Sequence, residues 1–455
     1  MEAKQYTFLA AAIIFIPVAA WLGCRYRWVE RGIVAGAFFS TCYLVDINLL
    51  SMEWYRGDTR GFEFGLTDWM VISLIVVMAR SPRWSCQSLS LLPPNSGPIV
   101  LYMLLALLSA IAAYVPVYAG FGLMKLLRAM AVYWVAYNYL RQEEDLRFIL
   151  YILAAIVCME FFLVLEQRAF GVYRAVGSTP HPNTLAMYIN MMNMIFLSFF
   201  LNEKPGHWRR WLYFACVGMG TLIVAATFSR GALAMMVGCY GLVVLFSIAL
   251  RPTRQKFLLV GLMALAAMPV AIKLAPAVID RFQNAPVASG ESRGQANDAA
   301  YAMASEHLFG VGINNYSHVI NETKYSLYIP NEMDRGIVHN IYLLHACEMG
   351  WPGLIAFVIL IGNFFWIGLR TVASRQDDPA SWMAVGILVG MLGFWLQSFL
   401  EWAFRQTYLT VEFFMLAGFL AALPRVVKAT HGNRRRQIAA LWLLRRSAAA
   451  RSHTV

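Results

Sequence analysis

Residues 339–369 read HNIYLLHACEMGWPGLIAFVILIGNFFWIGL. A polar segment ends at His339 and Asn340, and from there to Leu369 only Glu348 is formally charged. About 20 apolar residues suffice to carry a helix across roughly 30 Å of hydrocarbon. Runs of this kind recur along all 455 residues, which are 60% hydrophobic and 14% charged; a soluble domain carries about 25% charged residues. Lipid offers no partners to backbone N–H and C=O groups, so such a chain crosses as helices or as a closed barrel. The apolar runs are continuous rather than alternating, which selects helices.

Working outward, membrane helices are predicted near 7–23, 32–50, 66–79, 98–118, 123–140, 147–165, 183–201, 210–227, 231–249, 257–275, 340–369, 381–399 and 407–424. The short third run also reads as re-entrant, and the last two as one broken helix. The expected fold is therefore an all-α polytopic membrane protein of about 12–13 transmembrane helices. Its regions are ten helices within 1–275, a large polar loop 276–339, the C-terminal helices 340–424 and a basic tail 425–455. The first run, YTFLAAAIIFIPVAAWLG, has no small-x-small cleavage site ahead of a soluble domain, so it reads as a retained helix.

The seven cysteines form no CxxC pair and no zinc-like spacing, and they read as small packing residues. Of the 37 Lys and Arg, 23 fall in the turns near 24–31, 80–83, 141–147, 202–210, 251–256 and 370–375 and in the tail. Basic residues concentrate on the cytoplasmic side, so these turns and the C-terminus are expected there. The tail's eight basic residues read as an anchor on anionic membrane lipid, not as a nucleic-acid site. The loop 276–339 then faces outward, with seven acids and four bases. Within it, NDAAYAMASEHLFGVG predicts a short helix stopped by Gly310 and Gly312.

Charges at membrane depth are costly and tend to be functional. Outward-side cations are few: Arg230 between two apolar runs, Arg281 and Arg293 in the long loop, Lys125 and Arg128 at the start of a helix, and Arg174 before AVGSTPHPN. Planar, permanently charged guanidinium groups suit bidentate binding of phosphate oxygens. The ordinary reading of each is snorkelling or a salt bridge. His339 supplies an imidazole able to accept a proton; its ordinary reading is helix capping or packing. Asn340 is a candidate N-cap, and Asn183 follows Pro180 and Pro182 at another helix start. His345 and Glu348 share a helix face and read as a buried pair, with Glu348 also a candidate for orienting a catalytic group. No outward DxD pair exists to hold a metal against a diphosphate, since Asp377 and Asp378 fall on the other side. No metal or cofactor is expected.

VGSTPHPNTLA, TFSRGAL, SGESRGQ with HLFGVGINNY, and HNIYLLHACEMGWPGLI follow one another from about Tyr173 to Leu423. In this order and spacing the chain resembles the O-antigen ligase/polymerase superfamily, and the ligases most. The resemblance implies a GT-C-like inner-membrane glycosyltransferase with a large periplasmic loop. Its donor is an undecaprenyl diphosphate-linked O-antigen and its acceptor a hydroxyl of lipid A–core. It places the functional arginines on Arg230 and Arg293 and the histidine on His339. Arg281, Lys125, Arg128, Arg174, Asn183, Asn340 and Glu348 remain substrate-binding candidates. Many relatives carry a tryptophan shortly after the loop arginine; this chain has none there, which keeps Arg281 as a substitute. An O-antigen polymerase or a protein O-oligosaccharyltransferase uses the same chemistry. A lipid-linked glycan transporter or flippase predicts ionisable groups strung through mid-membrane, where Asp46, Glu160 and Glu412 are the main candidates.

Overall fold

A computed structural model describes residues 3–85, 87–283, 287–374 and 378–428. Asp377, the tail beyond Lys428 and the side chain of Arg281 lie outside the described parts. In chain order the elements are α1 (Ala3–Arg25), α2 (Arg27–Cys42), β1 (Asp46–Leu49), β2 (Phe62–Gly65), α3 (Leu66–Arg80), the single turn α4 (Pro82–Ser85), α5 (Ser96–Ile111), α6 (Pro116–Tyr139) and α7 (Glu143–Ala169). There follow α8 (Pro182–Asn202), α9 (Trp208–Ala226), α10 (Arg230–Leu250), α11 (Arg254–Gln283), α12 (Val287–Glu306), α13 (Tyr316–Glu322), α14 (Ile341–Ala373), α15 (Pro379–Gln397) and α16 (Thr407–Lys428).

Every apolar run carries a helix. Among the described residues eight helices, α1, α6, α7, α8, α10, α14, α15 and α16, are long and apolar enough to cross a membrane. Three others, α2, α3 and α5, have 16, 15 and 16 residues. At 1.5 Å per residue these rise about 24 Å or less, short of a full crossing. The core is centred on α8, which is apolar and buried along its whole spanning window. Its neighbour α15 meets it backbone to backbone. A Cβ on Gly386 would fall 2.4 Å from Ile195 Cα, and one on Gly390 would fall 2.9 Å from the Met191 carbonyl oxygen. Small residues permit such close approach between membrane helices.

Two expectations change. The helix foreseen at 32–50 ends at Cys42, and Asp46–Leu49 forms a strand antiparallel to Phe62–Gly65, with Asp46 opposite Gly65 and Leu49 opposite Phe62. Val45-Asp46-Ile47-Asn48-Leu49 alternates apolar and polar residues, a two-residue period that suits a strand. In the polar loop, α11 continues to Gln283 and α12 spans 20 residues, so the segment is more helical than expected.

One local break fixes this loop to the bundle. Within α14, Gly350 has φ +70° and ψ 175°, and Pro352 follows. Pro352 has no N–H to give the Glu348 carbonyl four residues earlier, and the kink removes the bond to the Cys347 carbonyl. Both carbonyls are taken up from outside the helix. Val311 N–H donates to Cys347 O at 2.8 Å, Gly312 N–H to Glu348 O at 3.0 Å, and the Ser109 hydroxyl to Glu348 O at 2.6 Å. Gly310 and Gly312 adopt φ +75° and +106° to make this approach, and a Cβ on Gly310 would lie 2.3 Å from Glu348 O. These are the glycines that the sequence marks as ending a helix.

Candidate active site

The end of α2, the starts of α8 and α14 and the connection between α15 and α16 meet at one end of the bundle. Between them lies a cavity of about 600 Å³, within the range of small-ligand sites. The ribbon segment contributes Asp46, Arg56, Asp58, Arg60 and Glu63 to its wall, and α6 contributes Lys125. His181 precedes α8, His339 precedes α14, and Glu401, Arg405 and Gln406 come from the last connection.

Glu401 is the hub. Its side chain is only 6% exposed, with Oε2 3.5 Å from His339 Nδ1 and Oε1 3.8 Å from Arg293 Nη2. Asn183 donates its amide N–H to the same carboxylate. The Asn183 side-chain Oδ1 in turn accepts from Arg174 at 3.0 Å, and Arg174 also donates to the Thr227 backbone carbonyl at 3.0 Å. Burial by itself pushes the Glu401 carboxyl up; the His339 contact, the Asn183 hydrogen bond and the Arg293 charge outweigh it and hold the group below the usual carboxylate range. His181 is displaced downward, first by burial and then by Arg174, His339 and Arg293, although Glu401 opposes this. Its Nδ1 accepts from Asn183 N–H at 3.1 Å and caps α8, with Pro182 at the first helical position.

His339 is half-exposed on the cavity wall, its side chain 42% accessible. Asn340 fixes where it stands. The Asn340 side-chain oxygen accepts from Tyr342 N–H at 3.0 Å and Leu343 N–H at 3.2 Å, so α14 begins one residue after it.

A second charged group lies deeper. Arg405, fully buried, pairs with Glu348 and with Asp58 at 3.3 Å. Burial opposes its charge, but the two carboxylates hold the guanidinium above its ordinary value. Glu348 also accepts from Tyr316 N–H at 3.2 Å. Glu348 and Arg405 together therefore join α14, α13, the ribbon segment and the last connection, and Glu348 does not line the cavity. The expected His345–Glu348 pair is not made: His345 Nε2 meets the Tyr102 hydroxyl at 2.8 Å and its ring stacks on Phe357.

Of the remaining cations, Lys125 lines the cavity; it donates to the Arg405 carbonyl at 2.6 Å and lies 3.8 Å from Glu63. Arg128, expected to meet phosphate, is instead buried between Glu63 at 2.9 Å and Asp68 at 2.8 Å, away from the wall. Burial pushes Glu63 up, but the Lys125 and Arg128 charges hold it below its usual value. Arg230 opens α10 beside the last connection: its neighbour Gly231 faces Gln397 and Leu400, whose side chains would lie 3.8 and 3.9 Å from an added Cβ. It does not line the cavity. Among the described residues no group of three His, Cys, Asp or Glu is arranged to hold a metal ion.

Sequence reasoning missed Glu401, Arg405, Asp58, His181 and Arg60. Arg60 is exposed on the wall, and its guanidinium has no partner among the described residues. A signal existed for the first two: LEWAFRQ places an acid and a base in the short connection between two apolar runs. The others become visible only once the ribbon folds over the cavity.

Membrane-length helices around a buried core, with a charged cavity at one end, define a polytopic helical membrane protein. Residues 214–358, from within α9 to the middle of α14, match the family model described as O-antigen ligase, a family of ligases and polymerases that transfer glycans at membranes. The match contains Arg230, Arg293, His339 and Glu348. Glu401, Arg405, Lys125 and the ribbon lie outside it. No curated protein matches the chain.

Proposed function

We propose that the chain is an O-antigen ligase of the bacterial inner membrane. In this reading it takes glycan from undecaprenyl diphosphate and transfers it to a hydroxyl of lipid A–core on the periplasmic face. The observation that carries the proposal is the Glu401 carboxylate on the cavity wall, held against His339 of the same wall and within 3.8 Å of Arg293.

The reaction is a single displacement. The acceptor oxygen attacks the anomeric carbon and the bond from that carbon to the diphosphate breaks, with inversion. The acceptor's proton passes to His339. With Nδ1 turned to Glu401, Nε2 is the nitrogen that receives it, and Glu401 stabilises the imidazolium that forms. General-base assistance of this kind contributes about 10²–10⁴ in rate.

The leaving diphosphate gains negative charge as the bond breaks. The wall carries four permanent cations, Arg56, Arg60, Lys125 and Arg405, and four carboxylates, Asp46, Asp58, Glu63 and Glu401. Lys125 and Arg405 are buried against acids, so Arg60, exposed on the wall, meets the diphosphate first, with Arg293 of α12 and Arg230 at the start of α10 as the outer contacts. One well-placed donor is worth about 10²–10³ in rate.

The test is reconstitution of purified protein with lipid-linked O-antigen, free of nucleotide. Three acceptors are compared: lipid A–core, a lipid-linked O-antigen unit and an acceptor protein. Product on lipid A–core that is lost in His339→Ala, Arg293→Ala and Arg230→Ala is expected. Product only on the second or third acceptor identifies a polymerase or a protein-directed transferase. No product on any acceptor ends the transferase reading.

A further inference from the structure

A second cavity, of about 430 Å³, lies at the opposite end of the bundle. Its wall comes from the start of α2, the α4 turn, the end of α6, the start of α7 and the end of α16. Those are the ends remote from the His339 cavity. Five arginines line it, Arg27, Arg31, Arg83, Arg141 and Arg425, against two acids, Glu30 and Asp145.

The acids pair with only three of the five arginines. Glu30 pairs with Arg83 at 2.7 Å and accepts from Trp84 Nε1–H at 3.0 Å. Exposed Glu144, beside the cavity, serves both Arg27 and Arg31. Asp145 is occupied as the cap of α7, accepting from the backbone N–H groups of Arg141 and Gln142 at 3.2 Å each. That leaves Arg141 and Arg425. Arg141 donates to the Asn138 and Ser88 carbonyls at 2.9 and 3.3 Å, and Arg425 to the Tyr137 and Leu140 carbonyls. Neither has a carboxylate hydrogen-bond partner among the described residues.

Both guanidinium planes are held over aromatic rings, Arg141 at 4.8 Å from the Trp84 centroid and Arg425 at 4.4 Å from Tyr137. Burial, and after it the Arg425 charge, push Arg141 down to about 10. The Nε atoms of Arg83 and Arg425 are buried without a hydrogen-bond partner. Basic residues that serve only to orient a membrane protein extend into water. Here they turn inward around a space with fewer acids than arginines, and buried unpaired donors are costly.

We propose that this cavity binds a phosphate group, with Arg141 and Arg425 as the principal contacts and Arg27, Arg31 and Arg83 around them. Planar guanidinium donors on several sides match the tetrahedral array of phosphate oxygens. A phospholipid headgroup and a free phosphate ion both offer that chemistry, and the test separates them.

Thermal unfolding of the full-length chain in neutral detergent is followed under three conditions at constant ionic strength. The additions are phosphatidylglycerol, phosphatidylcholine or inorganic phosphate. A rise of several degrees with phosphatidylglycerol and none with the other two assigns a lipid headgroup. An equal rise with inorganic phosphate assigns a free ion. Arg141→Gln with Arg425→Gln is expected to abolish the rise while the other basic residues of the tail are kept. If that pair does not fold, Arg141→Gln alone is expected to lose most of it. No rise with either phosphate compound, or an undiminished rise in a folded variant, overturns the proposal.

Discussion

Replacing Glu401 by Gln keeps the shape of the hub and removes its charge. The carboxylate lies 3.5 Å from His339 Nδ1. Across that distance a pair of unit charges is worth about 5 kcal/mol at an effective dielectric of 20 and about 1 kcal/mol in water. His339 is 42% accessible, so solvent screens the pair and the value belongs near the lower end. A loss of about 1–2 kcal/mol in the transition state lowers kcat/KM roughly 5- to 30-fold. The assay is the initial rate of glycan transfer to lipid A–core by reconstituted protein, with folding of each variant checked by its unfolding midpoint. If Glu401 acts through His339, the two substitutions share one loss. Glu401→Gln combined with His339→Ala is then no slower than His339→Ala alone, within about twofold. A native rate in Glu401→Gln, or losses that multiply in the double variant, would refute the coupling.

Three other outcomes are expected. Arg405→Met leaves Glu348 and Asp58 buried without their cation and destabilises the chain by about 3–5 kcal/mol, read as a large fall in unfolding midpoint. Asn340→Ala removes both cap bonds at the start of α14 and costs about 1 kcal/mol, and because His339 is the residue just before this cap, transfer slows more than the midpoint falls. Glu401 has a depressed pKa when folded, so its contribution is present above the unfolded carboxylate value near ~4.3 and is lost as pH falls through the lower folded value. A midpoint-versus-pH curve for the native chain should therefore drop more steeply on acidification than that of Glu401→Gln.

The helices were legible because lipid imposes a simple demand: long apolar runs with internally satisfied backbones. Arg293 and His339 were legible from their place in polar segments beside such runs. The hub was not. Glu401 meets His339 across 62 positions of sequence and Asn183 across 218, and neither periodicity nor local motif encodes those separations. Arg128 illustrates the converse: a cation near a helix start reads as a phosphate ligand until folding brings Glu63 and Asp68 to either side of it. The β1–β2 ribbon was hidden because an apolar-rich stretch, Leu44–Leu49, continued a helical run.

That ribbon has a consequence for how relatives of this chain can be recombined. The loop it carries is fastened to the polar segment between α12 and α14: Tyr55 donates to the Asn314 carbonyl, and the Asn314 side chain donates to the Thr59 and Tyr118 carbonyls at 2.9 and 3.0 Å. Two stretches distant in sequence thus close one chamber, and only the later one falls in the family match. A chimera that grafts 214–358 into a foreign first half inherits a chamber with a mismatched side. Residues 44–65, the start of α6 that Asn314 also holds, and the connection carrying Glu401 and Arg405 have to travel with the graft.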